Sequence, residues 1–151
     1  MSDLRDLYQE VILDHTKHPR NFGTLEHANC KADGFNPLCG DKLSLFLSVE
    51  DGVVKDVRFQ GSGCAISTAS ASMMTESVKG KTRAEAEMLF ERFHQMLTGP
   101  QGVKLEDNDE LGKLVVFSGV KAFPVRVKCA TLAWHTLNAA LKHQAEPAST
   151  E

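Results

Sequence analysis

The sequence predicts a single domain in which an antiparallel hairpin is covered by helices, and three observations carry that expectation. Leu43, Leu45, Leu47 and Val49 alternate with Ser44, Phe46 and Ser48, the period of a strand with one apolar face. Asp51-Gly52 follows and leads into a second run from Val53 to about Gln60. An Asp-Gly pair between two such runs is a strong hairpin signal, because both turn residues must tolerate positive φ. Most of the remaining chain carries helical spacing instead.

Before the hairpin, Leu4, Leu7, Tyr8, Val11 and Ile12 recur at helical spacing over Leu4 to Asp14, and His18-Pro19-Arg20-Asn21-Phe22-Gly23 stops that helix and begins an irregular arm. His15, His18 and His27 fit no metal-binding spacing, so they are assigned surface or hydrogen-bonded roles. Lys31 to Phe35 predicts a short strand running into Asn36-Pro37-Leu38-Cys39-Gly40-Asp41. In the return strand Val57 and Phe59 are expected to face the core. After Gly61-Ser62-Gly63-Cys64, the stretch Ala65 to Val78 is rich in Ala, Ser and Thr, small residues that let a helix lie close to a sheet. Lys79-Gly80-Lys81 ends it, and Thr82-Arg83-Ala84-Glu85 reads as a capping box opening a helix through Met88, Leu89, Phe93 and Leu97. Gly99-Pro100 closes that helix. Residues 99–112, with Glu106, Asp107, Asp109 and Glu110, are expected to be a solvated connector, since they lack the glycine and terminal glutamate of a calcium loop. Leu114 to Val120 predicts a short helix, and Val125 to about His143 a long one after the break at Phe123-Pro124. Met73, Met74 and Trp134 are assigned to the core.

The chain has 151 residues, enough to bury a core without disulfides. The expectation is one domain over residues 1–144 and a disordered tail over 145–151. With 17 Lys+Arg against 20 Asp+Glu the net charge is -3, and no basic block points to nucleic acid. The longest apolar runs are too short to span a bilayer, and the first residues lack the apolar stretch of a signal peptide. A cytoplasmic protein is expected. Cytosolic thiols are kept reduced, so the four cysteines are expected to be thiols or metal ligands rather than bridges.

Cys39, Asp41, Cys64 and Cys129 read as one metal and sulfur site. Cys39 precedes the hairpin and Cys64 follows it; in an antiparallel pair the start of one strand lies beside the end of the other, so both belong at one end of the sheet. Cys64 and Cys129 are expected in or beside the first turn of a helix, where the dipole and open N–H groups favour thiolate. Three thiolates and a carboxylate can close a four-coordinate site around zinc, and Arg126 and Lys128 are cations placed to offset its excess negative charge. Taken singly, each cysteine is equally well explained as a core side chain, Asp41 as a turn or cap, and Arg126 and Lys128 as a solvated face. Cys30, with no glycine loop or cation of that kind beside it, is assigned a structural role.

Three stretches, Asn36 to Asp41, Gly61-Ser62-Gly63-Cys64-Ala65-Ile66-Ser67 and Phe123-Pro124-Val125-Arg126-Val127-Lys128-Cys129-Ala130-Thr131-Leu132-Ala133-Trp134, resemble the NifU/IscU-like family of iron-sulfur cluster assembly proteins, and within it the SufU branch. Leu7-Tyr8, His15 and His18 to Gly23 extend the likeness over nearly the whole chain. IscU scaffolds carry His immediately before the third cysteine, where this chain has Lys128, and their stretch between the second and third cysteines is shorter. The resemblance implies an α+β fold, with a small antiparallel three-stranded sheet packed against several helices, and zinc held by Cys39, Asp41, Cys64 and Cys129. It implies transfer of persulfide sulfur from a pyridoxal-phosphate cysteine desulfurase of the SufS type, with Cys39 as acceptor and a partner histidine replacing it on zinc. Downstream iron-sulfur assembly proteins would be further partners. Two other readings use the same residues: a scaffold on which a 2Fe-2S or 4Fe-4S cluster is built and passed on, and a zinc-stabilised interaction module without chemistry.

Overall fold

The computed structural model describes residues 2–38, 40–99, 109–142 and 148–149. Helix α1 (Ser2–Lys17) is followed by the arm, then strands β1 (Cys30–Asn36), β2 (Asp41–Glu50) and β3 (Val53–Ser62). Helices α2 (Ala65–Val78) and α3 (Arg83–Thr98), a 3-10 segment (Asp109–Ala122), helix α4 (Pro124–Leu141) and the two-residue strand β4 (Ala148–Ser149) complete the order. β1, β2 and β3 form the expected antiparallel sheet, and β4 adds a parallel edge beside Gly34 and Phe35, giving the order β3-β2-β1-β4. Of the tail expected over 145–151, the described residues Ala148 and Ser149 form β4, and the others lie outside those described.

The β2–β3 turn has positive φ at both Asp51 (53°) and Gly52 (76°), the mirror-image turn whose twist matches the flanking strands. Leu43, Leu45 and Leu47 are buried as their alternation requires. Past the turn the pattern changes, because the register shifts between Ser48 and Val49. Val49 pairs with Val54 and Ser48 with Asp56, which leaves Lys55 as an extra residue. A bulge of this kind resets which face each residue takes. Val54 is thus buried along with Val57 and Phe59, three core positions where strict alternation gives two. The arm covers the outer edge of β3: the Gly23 N–H donates to the Phe59 carbonyl (2.8 Å), and the Phe59 N–H donates to the Asn21 carbonyl (3.0 Å).

α2 lies in the middle of the molecule, with α1, α4 and β3 packed around it. Its small residues are buried along most of its length, among them Ala69, Ser70, Ala71 and Ser72. α3 opens with the expected reciprocal capping box between Thr82 and Glu85. Its Leu89, Phe93 and Leu97 are buried, whereas Met88 faces solvent. Phe93 stacks on Trp134 with ring centroids 4.9 Å apart and meets Phe117 edge-on. The helix expected near Leu114 to Val120 is instead a longer 3-10 run, kinked at Gly112, whose φ of 53° favours glycine. Most of the connector expected over 99–112 falls outside the described residues. β1 packs directly on α4: a Cβ at Gly34 would lie 2.0 Å from the Thr136 hydroxyl oxygen, so only glycine fits.

Candidate metal centre

Asp41, Cys64 and Cys129 converge where the open end of the hairpin meets the start of α2. Each is placed by a different element. Asp41 is the first residue of β2 and sits opposite Asn36, the last of β1. Cys64 is the N-cap of α2, and its sulfur accepts the Ser67 N–H at 3.4 Å, doing with a thiol what Ser or Asp usually does. Cys129 is fully buried at the start of the second turn of α4, beside the first turn as expected. The amide at that depth is already inside the helix, so packing holds Cys129 in place and the open helix end does not. One carboxylate oxygen and the two sulfurs all lie within 4.8 Å of one another.

The carboxylate is oriented from both sides. Oδ1 accepts the Cys64 N–H at 2.8 Å, and Oδ2 accepts the Asn36 Nδ2–H at 3.2 Å. A Cβ at Gly63 would stand 2.5 Å from Oδ1, so that position must be glycine for Asp41 to reach the Cys64 amide. Asn36 Nδ2 is also 3.6 Å from the Cys129 sulfur. Asp41 and Asn36 are both fully buried, and Asp41 forms no ion pair among the described residues. A buried carboxylate beside two sulfurs and no cation is costly on its own. Zinc suits this set: it takes sulfur at about 2.3 Å and carboxylate oxygen at about 2.0–2.2 Å in a tetrahedron, and small rotations would bring all three donors onto one ion. Three donors leave one position open. Cys39, expected to fill it, lies outside the described residues.

Residues 7–130 match the family described as the NifU-like N terminal domain. The chain belongs to that family. It is 43% identical over 136 residues to the zinc-dependent sulfurtransferase SufU of Bacillus subtilis, covering 90% of each chain. It is 41% identical to the iron-sulfur cluster assembly scaffold protein IscU of Streptococcus pyogenes, covering 96% of this chain and 89% of that one. It superposes with a TM-score of 0.81 on the crystal structure of an iron-sulfur cluster assembly scaffold protein for the SUF system from Fervidobacterium islandicum, at 38% identity, over 87% of this chain and 94% of that one. The resemblance read from the three motifs is borne out. So is the α+β fold.

In this NifU-like chain the cluster of Asp41, Cys64 and Cys129 includes none of His15, His18, His27 and Cys30. Arg126 is exposed in the first turn of α4. Lys128 is half-buried and borders a cleft of about 320 Å³ with His94, Lys121 and His135, between α3 and α4. Cys30 is buried in the core opposite Leu47, and burial pushes its thiol up from the ordinary range while Arg83 pulls it slightly back. His18 and His27 are exposed. His15 is not a surface residue: it is buried, and its Nδ1 meets the Ser72 hydroxyl at 2.7 Å. Sequence reasoning missed Asn36 and Gly63 as parts of the site. The signal for Asn36 was its place before Pro37, since Asn side chains close turns with the backbone two residues on.

Proposed function

We propose that this chain is a zinc-dependent sulfur acceptor of iron-sulfur cluster biogenesis that takes persulfide sulfur from a pyridoxal-phosphate cysteine desulfurase of the SufS type. The observation that carries the reading is the convergence of Asp41, Cys64 and Cys129 beside the connection 37–40. A sulfur-rich donor set with one harder oxygen ligand suits zinc and binds less tightly than four thiolates. Cys39 would be the fourth ligand. Zinc, when bound, supplies the positive charge that keeps the thiols deprotonated. Cys64 and Cys129 are held by helices, whereas Cys39 lies in sequence between the end of β1 at Asn36 and the start of β2 at Asp41. The Cys39 thiolate attacks the outer sulfur of the desulfurase persulfide; a new S–S bond forms on Cys39, the old one breaks, and the desulfurase thiolate leaves. Arg126 and Lys128 act at longer range, as cations on the same helix as Cys129.

The relative described as a zinc-dependent sulfurtransferase, and Lys128 in the place where IscU scaffolds have His, support this reading. The relatives described as IscU scaffolds support a second one, in which the same residues carry a 2Fe-2S or 4Fe-4S cluster during assembly. The natural setting is the cytoplasm, where thiols stay reduced; no helix among the described residues is long and apolar enough to cross a membrane. Incubation with a desulfurase and cysteine, alkylation of thiols and mass spectrometry should place the added sulfur on the peptide containing Cys39. Cys39→Ala should keep much of its zinc and accept almost no sulfur. Persulfide mainly on Cys64 or Cys129, with Cys39→Ala still active, would reject the assignment in favour of the scaffold.

A further inference from the structure

Asn36 has no solvent exposure, and its side-chain amide reaches both the candidate metal centre and the turn beside it. Its Oδ1 accepts the Leu38 N–H at 3.3 Å, and its main-chain carbonyl accepts the Gly40 N–H at 2.9 Å. The first of these bonds fixes which end of the amide points which way, because Oδ1 must be the acceptor facing the Leu38 N–H. Nδ2 is then directed inward. Its two hydrogens have two acceptors within reach: Asp41 Oδ2 at 3.2 Å and Cys129 Sγ at 3.6 Å. Those atoms belong to β2 and α4, elements far apart in the chain.

We propose that Asn36 is the positioning residue of the metal centre: one amide fixes the Asp41 carboxylate and the Cys129 sulfur relative to each other, and ties both to the turn between Asn36 and Gly40. The inference rests on the zinc reading above. A single hydrogen bond to Asp41 alone would orient one ligand, as outer-sphere partners commonly do. Here the second hydrogen reaches a sulfur from another element, so the spacing between two donors is set by one rigid planar group. The same amide holds the turn, so a shift of the turn is felt at both donors. A leucine at 36 has similar length and width but no donor, and an aspartate keeps the acceptor for the Leu38 N–H while replacing both inward hydrogens by an oxygen.

The test uses wild-type protein, Asn36→Leu and Asn36→Asp, each purified, stripped of metal and titrated with zinc against a chromophoric chelator and separately with cobalt. Wild type should take up one metal ion per chain and show thiolate-to-cobalt absorption. Both variants should bind zinc roughly 10- to 100-fold more weakly, the range expected for losing an outer-sphere partner, with altered cobalt bands and a helical circular dichroism spectrum. A residue that merely fills space would lower the melting temperature of metal-free and zinc-loaded protein alike and leave the cobalt bands unchanged. If Asn36→Leu does not fold, Asn36→Asp decides. Wild-type or higher zinc affinity, or unchanged cobalt bands, in the folded variant overturns the proposal alone. Wild-type protein that takes up neither metal sinks the zinc reading, and this inference with it.

Discussion

Helix α2 borders two buried polar clusters, and they are closed in different ways. Along its middle, the Ser72 hydroxyl meets His15 Nδ1 at 2.7 Å and accepts the Arg20 N–H at 2.8 Å; Asn21 Nδ2 donates to the Thr75 hydroxyl at 3.1 Å, which donates to the Ser72 carbonyl at 2.7 Å. Because the Ser72 hydroxyl accepts the Arg20 N–H, its own hydrogen goes to Nδ1 of the neutral imidazole, whose proton then sits on Nε2, 3.6 Å from Glu76 Oε1. Donors and acceptors match, and the cluster clamps α1 and the arm onto α2. At the N-terminus of α2 the N–H groups of Cys64, Ser67 and Asn36 are matched too, but the acceptors they serve are a carboxylate and two sulfurs facing one another. A carboxylate oxygen and two sulfurs facing a common point are a donor set suited to a cation. The histidine cluster is thus closed by its own hydrogen bonds, whereas the cysteine cluster keeps donor atoms turned toward one another, as a candidate metal site requires.

Removing zinc should have the largest effect. Structural zinc is worth about 10–16 kcal/mol in small peptides, but this chain has a separate core around Trp134 and Phe93. Chelation is expected to lower the melting temperature by roughly 10 °C or more, taking about 2–4 °C per kcal/mol for a domain of this size, with the helical circular dichroism spectrum retained. A random-coil spectrum after chelation would show that the core does not stand alone. Asp41→Ala should follow, weakening zinc by more than about a hundredfold, since a lost ligand should cost more than a lost outer-sphere partner, without unfolding the chain; chelator competition measures it. In the other cluster, Ser72→Ala leaves His15 and the Arg20 amide unmatched and should cost about 1–3 kcal/mol in denaturant unfolding of metal-free protein. Its zinc affinity should equal that of wild type, and any coupled loss would erase the contrast between the clusters.

The smallest effect is on pH dependence. Burial first, then Arg20, holds the His15 imidazole below its ordinary value, while Glu76 and Asp14 pull the other way and Lys113 adds to the depression. The unfolded chain then takes a proton near about pH 6.5, and the folded one only at lower pH. Stability is therefore full above that value and falls as the pH drops below it, until the folded state is protonated too. His135, lowered by burial and by His94, adds to the same slope. Melting curves between pH 7.5 and 5 should be flatter for His15→Gln than for wild type; an equal slope would exclude His15 as a source.

Much of the candidate metal centre was legible because its donor residues sit at positions that local rules mark: Cys64 behind a glycine loop at a helix start, Asp41 at the start of an alternating strand. Hairpin register brings Asp41 beside Cys64 at one end of the sheet; the expectation from sequence places Cys39 there with Cys64, and Cys39 lies outside the described residues. Asn36 was not legible as a bridge, since its partner Cys129 is remote in sequence and comes near only through the packing of α4 on β1. Val54 was missed for a different reason: a bulge at Lys55 inverts the alternation, and nothing in the residue types there signals an insertion. The fate of His15 depended on Ser72, one of several similar small residues on α2, of which only packing shows the one within reach.

The contact between Gly34 and Thr136 has a consequence for tolerance to change. Thr136 lies seven residues beyond Cys129 on α4, two turns along the same face, or roughly 10 Å at 1.5 Å per residue. The bare backbone at Gly34 therefore works as a seat for a lever, with Cys129 on its other arm. An alanine there would be a shim that pries the helix from the sheet, and the tilt would arrive at the sulfur as a change of height above the hairpin. A glycine with no chemistry of its own thereby sets how finely a remote thiol is gauged.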